Sequence, residues 1–532
     1  MTTAQRFTLL ATGLGLFMIF LDALIVNVAL PAIQADFHVG EAGLQWVVTT
    51  YSIGMAVAIM SGATLADMHG RRKLYIAGIV LFTASSIACG MAATLDMLNV
   101  ARTVQGIAAA TVNVTSLALV SAAFPEPKQK ARAIGIWTAI ASTATAIGPT
   151  LGGLLVQGSG WRTIFLVNVP VGIVAVILTL RFVAESRDAR ERRFDVPGQL
   201  LFALAVGAFA YAVIEGPKVG WLSAEILVLF ALAAGALAAF IRCEHRSADP
   251  MMDLALFRDR TYSLAIATIF SVLFSIYGML LVTTQYLQNV RGYSPTDTGL
   301  LLLPFSVTMT IVSLKAGHLV GKVGTRPPIL VGLSSLIAGL AIMIVSMPAS
   351  MVAVVVGFVF AALGGALCLT PITSLAMTAV PPERAGMASG IMSAQRAIGS
   401  TVGFAVLGSI LAAWLATTLD RDLAAALPDK AQRRDVAMAI IGNANPRAYA
   451  AEIGPRRPIQ HESAALRDGI LLAADADFVQ GIRLALATAV GLLAIVLAAG
   501  IVWFPRHKEA IADAEHEAVK LEKEEEGGRV EM

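Results

Sequence analysis

Charged side chains are scarce in this sequence. Only 14% of its 532 residues are Asp, Glu, Lys or Arg, and 57% are hydrophobic, whereas soluble proteins average roughly 25% charged residues. A water-soluble globule of this composition would expose large apolar patches and aggregate. The lack of polar low-complexity sequence excludes a disordered chain. A net charge of only +3 gives no indication of a nucleic-acid-binding surface.

Cysteine is almost absent as well. Cys89, Cys243 and Cys368 are far apart in the chain, so neither a disulfide framework nor metal-ligand spacing is visible. The histidines are scattered, and no Ser/His/Asp set has plausible spacing. There is no Walker-type phosphate loop either. The sequence therefore predicts no enzyme chemistry, no metal and no cofactor.

Long apolar runs dominate what remains. A helix needs about 20 apolar residues to cross a bilayer, and fourteen such runs can be placed. The sequence thus predicts an all-α integral membrane protein with fourteen transmembrane helices. The predicted spans are 8–30, 45–66, 74–95, 97–123, 133–156, 163–184, 197–214, 224–242, 261–287, 297–320, 328–347, 351–379, 387–418 and 478–504.

Lysine and arginine are concentrated in alternate short loops, which orients the chain. The rich loops begin with Arg71, Arg72 and Lys73, followed by Lys128, Lys130 and Arg132. The positive-inside rule therefore predicts that both termini are cytoplasmic. The long loop 419–477 is predicted to be external despite its arginines, because long loops escape the rule. The charged segment 505–532 is predicted to be a cytoplasmic tail.

Two short segments recur at nearly equal offsets. ATLADMHGRR, which starts at residue 63, matches GHLVGKVGTR at a shift of 254, and GPTLG, which starts at residue 148, matches GSTVG at a shift of 251. This agreement predicts a duplicated six-helix unit. The two bundles are then residues 1–184 and 261–504, and residues 185–260 contain an inserted helix pair. A parallel repeat of this kind places a transport site between its halves.

Four motifs resemble the Major Facilitator Superfamily and, within it, the fourteen-span drug:proton antiporters of the EmrB/QacA type: LDALIVNVALP, LADMHGRRK, ARTVQGIAAA and GPTLGG. The whole chain is also similar to the Stp-type spectinomycin/tetracycline efflux pumps of actinobacteria. The resemblance implies two six-helix bundles plus the inserted pair, alternating access and a proton gradient as the energy source. Departures are Ala63 for glycine, Met68 for a basic residue and the lack of acids in span 13, which argues against dicationic drugs.

An acid and an arginine lie within predicted spans. Asp22 is about fifteen residues into the first span and Arg102 is in the first third of the fourth, so both are predicted to lie in the outer half of the bilayer. A carboxylate there is costly unless it is paired or protonated, and Arg102 is the natural partner. The resemblance implies that Arg102 assists proton exchange. We expect the two to pair when Asp22 is ionised and to separate when it is protonated; a purely structural ion pair is the alternative.

Two further motifs have alternative interpretations. The turn residues Asp67, Gly70, Arg71 and Arg72 are expected to form a cytoplasmic latch, in which the resemblance places Asp67 against a helix end of the other half; positive-inside topology alone is the alternative.

By resemblance, GPTLGG is the antiporter motif. It forms either a hinge or seam that prevents proton leak, or ordinary close packing of small residues. Its residues are Gly148, Pro149, Gly152 and Gly153.

Other polar and aromatic side chains lie on spans that, by resemblance, line the substrate cavity. Helix packing is the alternative for each of them. Arg396 in particular needs a partner or a water-filled cavity, and contact with an anion or substrate is one hypothesis for it. The candidate cavity residues are Gln105, Asn113, Trp137, Tyr277, Gln285, Gln395 and Arg396.

The predicted function is proton-coupled efflux of small amphipathic compounds, with antibiotics as the expected class. The predicted partners are these drugs, protons and the lipid bilayer, and the protein is expected to be a monomer that spans the plasma (inner) membrane. Three alternatives remain open: export of an endogenous lipid or metabolite, proton-coupled import of a nutrient, and a non-transporting receptor or scaffold. The antiporter motif argues against import, and an intramembrane acid near an arginine argues against a scaffold.

Overall fold

The computed structural model describes residues 1–124, 126–186, 195–247, 252, 254–347, 349–380, 385–422 and 464–504. Within these ranges the regular structure is helical, and the α-helices are numbered here in chain order. They are α1 Thr3–Phe37, α2 Glu41–His69, α3 Arg71–Gly90, α4 Leu95–Ala123, α5 Pro127–Ser159, α6 Thr163–Leu166, α7 Asn168–Phe182, α8 Val196–Val219, α9 Ala224–Arg246, α10 Arg260–Gln285, α11 Pro295–Val323, α12 Arg326–Ser346, α13 Met351–Thr378, α14 Ala385–Asp422 and α15 Ala464–Trp503.

Capping residues set where several of these helices begin. The side chains of Thr94, Asp259 and Ser294 each accept a hydrogen bond from the backbone N–H three residues later. Such caps satisfy donors that the first helical turn leaves unpaired. The helices therefore begin at polar residues between the apolar runs, as the sequence predicts.

Within the described residues, twelve helical segments are long and apolar enough to cross a membrane, with α6 and α7 counted as one segment. Helix α2 adds a shorter apolar stretch, Gly43–Ile59. The chain is thus a multi-pass helical membrane protein. Twelve of the fourteen predicted crossings meet this criterion, and α2 and α5 do not meet it among the described residues.

Helix ends differ from the predicted spans. Helix α1 covers Thr3–Phe37 rather than 8–30, and α15 begins at Ala464 rather than at 478. Helix α15 therefore extends into the predicted external loop 419–477, because Ala- and Leu-rich sequence continues the helix beyond the apolar segment. Residues 423–463 and the predicted tail 505–532 lie outside the described part of the chain.

Two residues that the predicted repeat relates, Arg72 and Arg326, make similar contacts. Arg72, at the start of α3, donates to the Leu180 carbonyl of α7 at 2.6 Å. Arg326, at the start of α12, donates to the Ile501 carbonyl of α15 at 2.5 Å. Each arginine thus supplies a donor to a carbonyl near the end of the last helix of its own six-helix unit, where backbone acceptors lack helical partners.

A second pair of contacts repeats at the opposite ends of the same helices. Arg162 donates to the Ala92 carbonyl, just beyond α3, at 3.2 Å, and Arg483 donates to the Met347 carbonyl, just beyond α12. We call α1–α7 the N-terminal half and α10–α15 the C-terminal half. The side of the bundle on which α1 ends is called the Phe37 side.

The two halves meet along two helix pairs, α5 with α11 and α2 with α14. Glycines allow these contacts: a Cβ atom at Gly153 would collide with the Pro295 carbonyl, and one at Gly299 with the Pro149 carbonyl. On the same side, Gln288 donates to the Val28 carbonyl of α1 at 3.0 Å. The contacts at Gly153, Gly299 and Gln288 all lie toward the Phe37 side.

The inserted helices α8 and α9 lie beside the halves rather than between them. Helix α8 packs against α2 and α14, one helix from each half, whereas α9 packs on α8. Ser409 of α14 donates to the Val213 carbonyl at 2.6 Å, and Trp46 of α2 donates to Glu215 at 3.0 Å. The outer face of α9 is apolar and exposed, as expected for a surface in contact with lipid. Its exposed residues include Leu227, Val228, Leu232, Leu237 and Ile241.

Candidate functional site

A charged pair lies at the centre of the N-terminal half. Asp22 is in the middle of α1 and Arg102 is in the first third of α4, and both side chains are fully buried. The Arg102 Nη1 atom lies 2.5 Å from Asp22 Oδ2. The pairing that the sequence predicts is therefore present in this conformation.

The other carboxylate oxygen of Asp22 is also hydrogen-bonded. Gln105 Nε2 donates to Asp22 Oδ1 at 2.9 Å, and Asn168 Nδ2 donates to it at 3.1 Å. Both amides also approach Ser86 Oγ, at 2.6 and 3.0 Å. Donors from α4 and α7 thus surround the Asp22 carboxylate, and Ser86 of α3 contacts the two amides, an arrangement suited to the ionised, acceptor-only form of the acid.

The Arg102 guanidinium is only partly satisfied by this network. Its Nε donates to the Val47 carbonyl at 3.1 Å, and the Tyr51 ring lies 4.3 Å from its Cζ. Its Nη2 atom and the Tyr51 hydroxyl are buried without a hydrogen-bond partner among the described residues. Buried polar groups without a hydrogen-bond partner are rare in folded proteins, so these two require a functional or structural explanation.

Gln105, which the resemblance places on the cavity wall, is fully buried and hydrogen-bonded to Asp22. Ser86, Asn168 and Tyr51 were missed. Asn168 carried a usable signal, since it is an amide within the apolar run FLVNVPVG. Ser86 and Tyr51 did not stand out, because serine and tyrosine are common in membrane helices.

The antiporter motif lies beside the ion pair and at the seam between the halves. A Cβ atom at Gly152 would approach Ile25 of α1 to 2.7 Å, and Gly148 faces Leu24 of the same helix. Gly153 and Pro149 face α11 in the C-terminal half. Gly148 and Gly152 thus pack within the N-terminal half, whereas Pro149 and Gly153 lie at the seam between the halves.

The repeated segment GSTVG makes the equivalent packing contact in the C-terminal half. A Cβ atom at Gly399 would approach Phe270 of α10 to 2.9 Å at its carbonyl oxygen, and one at Gly403 would lie 2.8 Å from the Phe274 Cα. Helices α5 and α14 thus use the same spacing of small residues against the first helix of their own half.

The turn after α2 is held by its own half. Gly70 has φ +104°, and Arg72 N donates to the Glu185 carboxylate at 2.9 Å. The Arg71 backbone N–H donates to the Ser186 carbonyl at 3.0 Å. These contacts connect the turn to the segment after α7, a residue set that the sequence did not predict. The side chain of Asp67, the proposed latch residue, lies outside the described residues.

Replacing Gly70 with alanine should destabilise the protein. An L-residue rarely adopts φ +104°, and the new Cβ would lie 2.9 Å from the Glu185 carboxyl carbon. We expect a loss of about 1–3 kcal/mol of stability, measured as a lower midpoint of thermal unfolding in detergent. Gly235→Ala is the control, because nothing lies within 4 Å of a Cβ there. Equal midpoints for the two variants would contradict the strain.

Among the remaining cavity candidates, Tyr277 and Arg396 lie within electrostatic range of each other. Tyr277 is half-buried with its ring 5.7 Å from that of Phe404, and Arg396 donates to Thr373 Oγ1 at 2.7 Å. Asn113 and Gln395 are half-buried, and Gln285 is fully buried near the end of α10. Trp137 packs on a separate apolar cluster, which consists of Leu9, Val120, Phe124 and Ala133.

Many apolar spans, two groups of helices in contact along the pairs α5–α11 and α2–α14, and a buried ion pair characterise a multi-pass membrane transporter rather than an enzyme. The sequence profile of the Major Facilitator Superfamily matches residues 12–404. The chain belongs to the Major Facilitator Superfamily.

Several relatives match along nearly the whole chain. It is 61% identical over 506 residues to multidrug resistance protein Stp of Mycobacterium tuberculosis, covering 95% of this chain and 93% of that protein. It is 46% identical over 507 residues to the drug efflux pump JefA of the same species, with coverages of 95% and 99%. The tetracenomycin C resistance and export protein of Streptomyces glaucescens is 32% identical over 505 residues, with coverages of 94% and 92%.

The fold also matches a solved transporter. The crystal structure of a bacterial homologue of the human lysosomal transporter Spinster, in an inward-facing and occupied conformation, superposes with a TM-score of 0.66 at 18% identity. It covers 94% of this chain and 97% of the other. At this identity the likeness concerns the fold alone, and it agrees with the superfamily assignment.

Proposed function

We propose that this protein exports small amphipathic drugs in exchange for protons. The relatives named as drug efflux proteins support the substrate class. The observation that carries the proton-coupled mechanism is the fully buried Asp22–Arg102 pair, because an ionisable pair in the apolar part of a helix bundle is costly unless it has a function. Asp22 is the proton carrier and Arg102 its counter-ion.

The proposed topology has fourteen crossings in the plasma (inner) membrane of a monomer, with both termini in the cytoplasm. Helices α2 and α5 complete the count, since they are 29 and 33 residues long and about 20 residues suffice. The Phe37 side then faces outward. The seam contacts of Gly153 and Gln288 lie on that side, so this conformation is closed to the outside. Asp67 is proposed to latch the cytoplasmic side in the opposite conformation.

Tyr51 connects the ion pair to the moving interface. Its ring covers Arg102, and it is within electrostatic range of Tyr277 on α10 of the C-terminal half. Tyr277 also packs against the cluster that contains Leu21 and Ile25 of α1. When the halves rock apart at this point, the cover over Arg102 is loosened. Water can then reach Asp22 from one side of the membrane at a time.

The proton gradient supplies enough energy for this exchange. One proton moving inward supplies about 2.3 kcal/mol per 100 mV of potential and about 1.4 kcal/mol per pH unit. With one proton per neutral drug molecule, 100 mV and one pH unit sustain a gradient of a few hundred-fold. No nucleotide is required.

A susceptibility panel in a bacterial host that lacks its own efflux pumps tests the proposal. Cells that express the protein should tolerate several amphipathic antibiotics at higher concentrations than cells with an empty plasmid. A protonophore should abolish efflux of a fluorescent substrate from the same cells. Unchanged susceptibility for every compound would reject drug export and favour export of an endogenous lipid or metabolite. Efflux that persists without a proton gradient would reject proton coupling.

A further inference from the structure

Arg396 is a second arginine within a long apolar helix, α14. It is half-buried, and its Nη2 atom donates to Thr373 Oγ1 of α13 at 2.7 Å. Its Nε atom is buried and has no hydrogen-bond partner among the described residues. Part of the guanidinium group, which offers five N–H donors in total, is therefore unused.

The charge of Arg396 is also unbalanced in the described part of the chain. Arg102 pairs with Asp22 and Arg162 pairs with Asp36, whereas Arg396 has no carboxylate within ion-pair distance among the described residues. The titratable side chain whose field reaches Arg396 is Tyr277, and a phenol is neutral at physiological pH. Arg102 therefore has a carboxylate of the protein beside it, whereas Arg396 has none among the described residues.

Arg396 lies near the interface between the two halves. Tyr277 interacts electrostatically with Arg396. The Tyr277 ring also packs against residues of the N-terminal half. Arg396 is the twelfth residue of α14, about 17 Å along the helix axis from its first residue. The apolar segment of this helix begins at Gly390, so the Cα of Arg396 lies about 9 Å along the helix axis from its start and within the roughly 30 Å apolar layer.

We propose that Arg396 binds an anionic group of the transported compound, and that Thr373 orients the guanidinium for this contact. The substrates are then amphipathic compounds that carry a carboxylate, phenolate or enolate, since the planar guanidinium donates two parallel hydrogen bonds to such oxygens. This inference rests on the proposed export function and deepens it. It also agrees with the lack of acids on span 13, where they would attract dications.

Two dyes that differ by one methyl group provide the test. Rhodamine 110 carries a free carboxylate, and rhodamine 123 is its methyl ester. Binding of each dye to purified protein in detergent is measured by fluorescence anisotropy, and proton-driven uptake is measured separately in inverted vesicles. The variants are Arg396→Gln, Arg396→Lys and the control Lys315→Gln, which removes one exposed positive charge from the same half.

The wild type should bind rhodamine 110 at least about tenfold more tightly than rhodamine 123, as expected for a hydrogen bond between charged groups. Arg396→Gln should abolish this preference, Arg396→Lys should restore part of it, and Lys315→Gln should keep it. Equal binding of the two dyes by the wild type, or an equal loss for both dyes in Arg396→Gln, would overturn the assignment. A retained preference for rhodamine 110 without proton-driven uptake would instead count against the export function alone.

Discussion

Asp22→Asn should reduce proton-driven drug uptake in inverted vesicles to the level of vesicles without the protein. Asparagine keeps an oxygen that can accept from Gln105 and Asn168, but it cannot exchange a proton. Drug-for-drug exchange at equal pH on both sides should persist, because the proposed substrate contact at Arg396 is untouched. The two assays together distinguish a loss of coupling from a loss of folding.

Asp36→Asn is the matched control for this variant. Asp36 is on the same helix and pairs with Arg162 at 2.8 Å, but the two side chains are 43% and 40% exposed. An exposed pair contributes about 0–1 kcal/mol, so transport should be unchanged. Proton-driven uptake that survives in Asp22→Asn would remove Asp22 from the mechanism.

The uncompensated arginine in Asp22→Asn should also destabilise the closed conformation. Removing one partner of a buried ion pair typically costs about 3–5 kcal/mol. The double variant Asp22→Asn/Arg102→Gln should recover most of this stability, measured by thermal unfolding in detergent, while remaining inactive in proton-driven uptake. Restored uptake in the double variant would show that the pair is structural only.

The sequence predicted the ion pair because depth in the membrane can be counted along a helix. Asp22 and Arg102 were the charged residues at matching depth in two early spans, and the cost of burying either alone required a partner. The offset of 254 residues likewise predicted the equivalence of Arg72 and Arg326. The two arginines make matching hydrogen bonds: Arg72 donates to the Leu180 carbonyl and Arg326 to the Ile501 carbonyl.

Rotation about the helix axis was not predictable in the same way. In a membrane bundle both the lipid-facing and the buried faces are apolar, so the hydrophobic periodicity that marks the inner face of a soluble helix is absent. Gln105 was therefore placed on the cavity wall, although it faces Asp22. Glu185 was missed because it follows α7 in sequence and reaches the α2–α3 turn only through the fold.

Gly153→Val should open the outer seam. The side chain would meet the carbonyl oxygen of Pro295 and the Cα of Thr296, the latter at 2.7 Å, and backbone atoms cannot rotate away as a flexible side chain can. Overpacking of this kind costs about 1–3 kcal/mol, which changes the ratio of closed to open molecules by about fivefold to more than a hundredfold. Proton-driven export should fall because the protein no longer closes fully to the outside.

Accessibility of a cysteine introduced at position 150 measures this opening directly. Thr150 Oγ1 lies 3.4 Å from the Gly299 carbonyl, within the seam. A membrane-impermeant maleimide added to intact cells should label Thr150→Cys slowly and should label the Gly153→Val/Thr150→Cys variant several-fold faster. The parent protein without the introduced cysteine gives the background, to which the partly exposed Cys243 contributes while Cys89 and Cys368 are buried.

Gly158→Val/Thr150→Cys is the control for the seam. Gly158 is on the same helix α5, but nothing lies within 4 Å of a Cβ there, so the added valine should leave both labelling and export unchanged. The contrast depends on position alone, since both substitutions add the same side chain to one helix. Equal labelling of the Gly153→Val and Gly158→Val variants would mean that α5 and α11 do not form the outer gate, and the closed side of this conformation would have to be sought elsewhere.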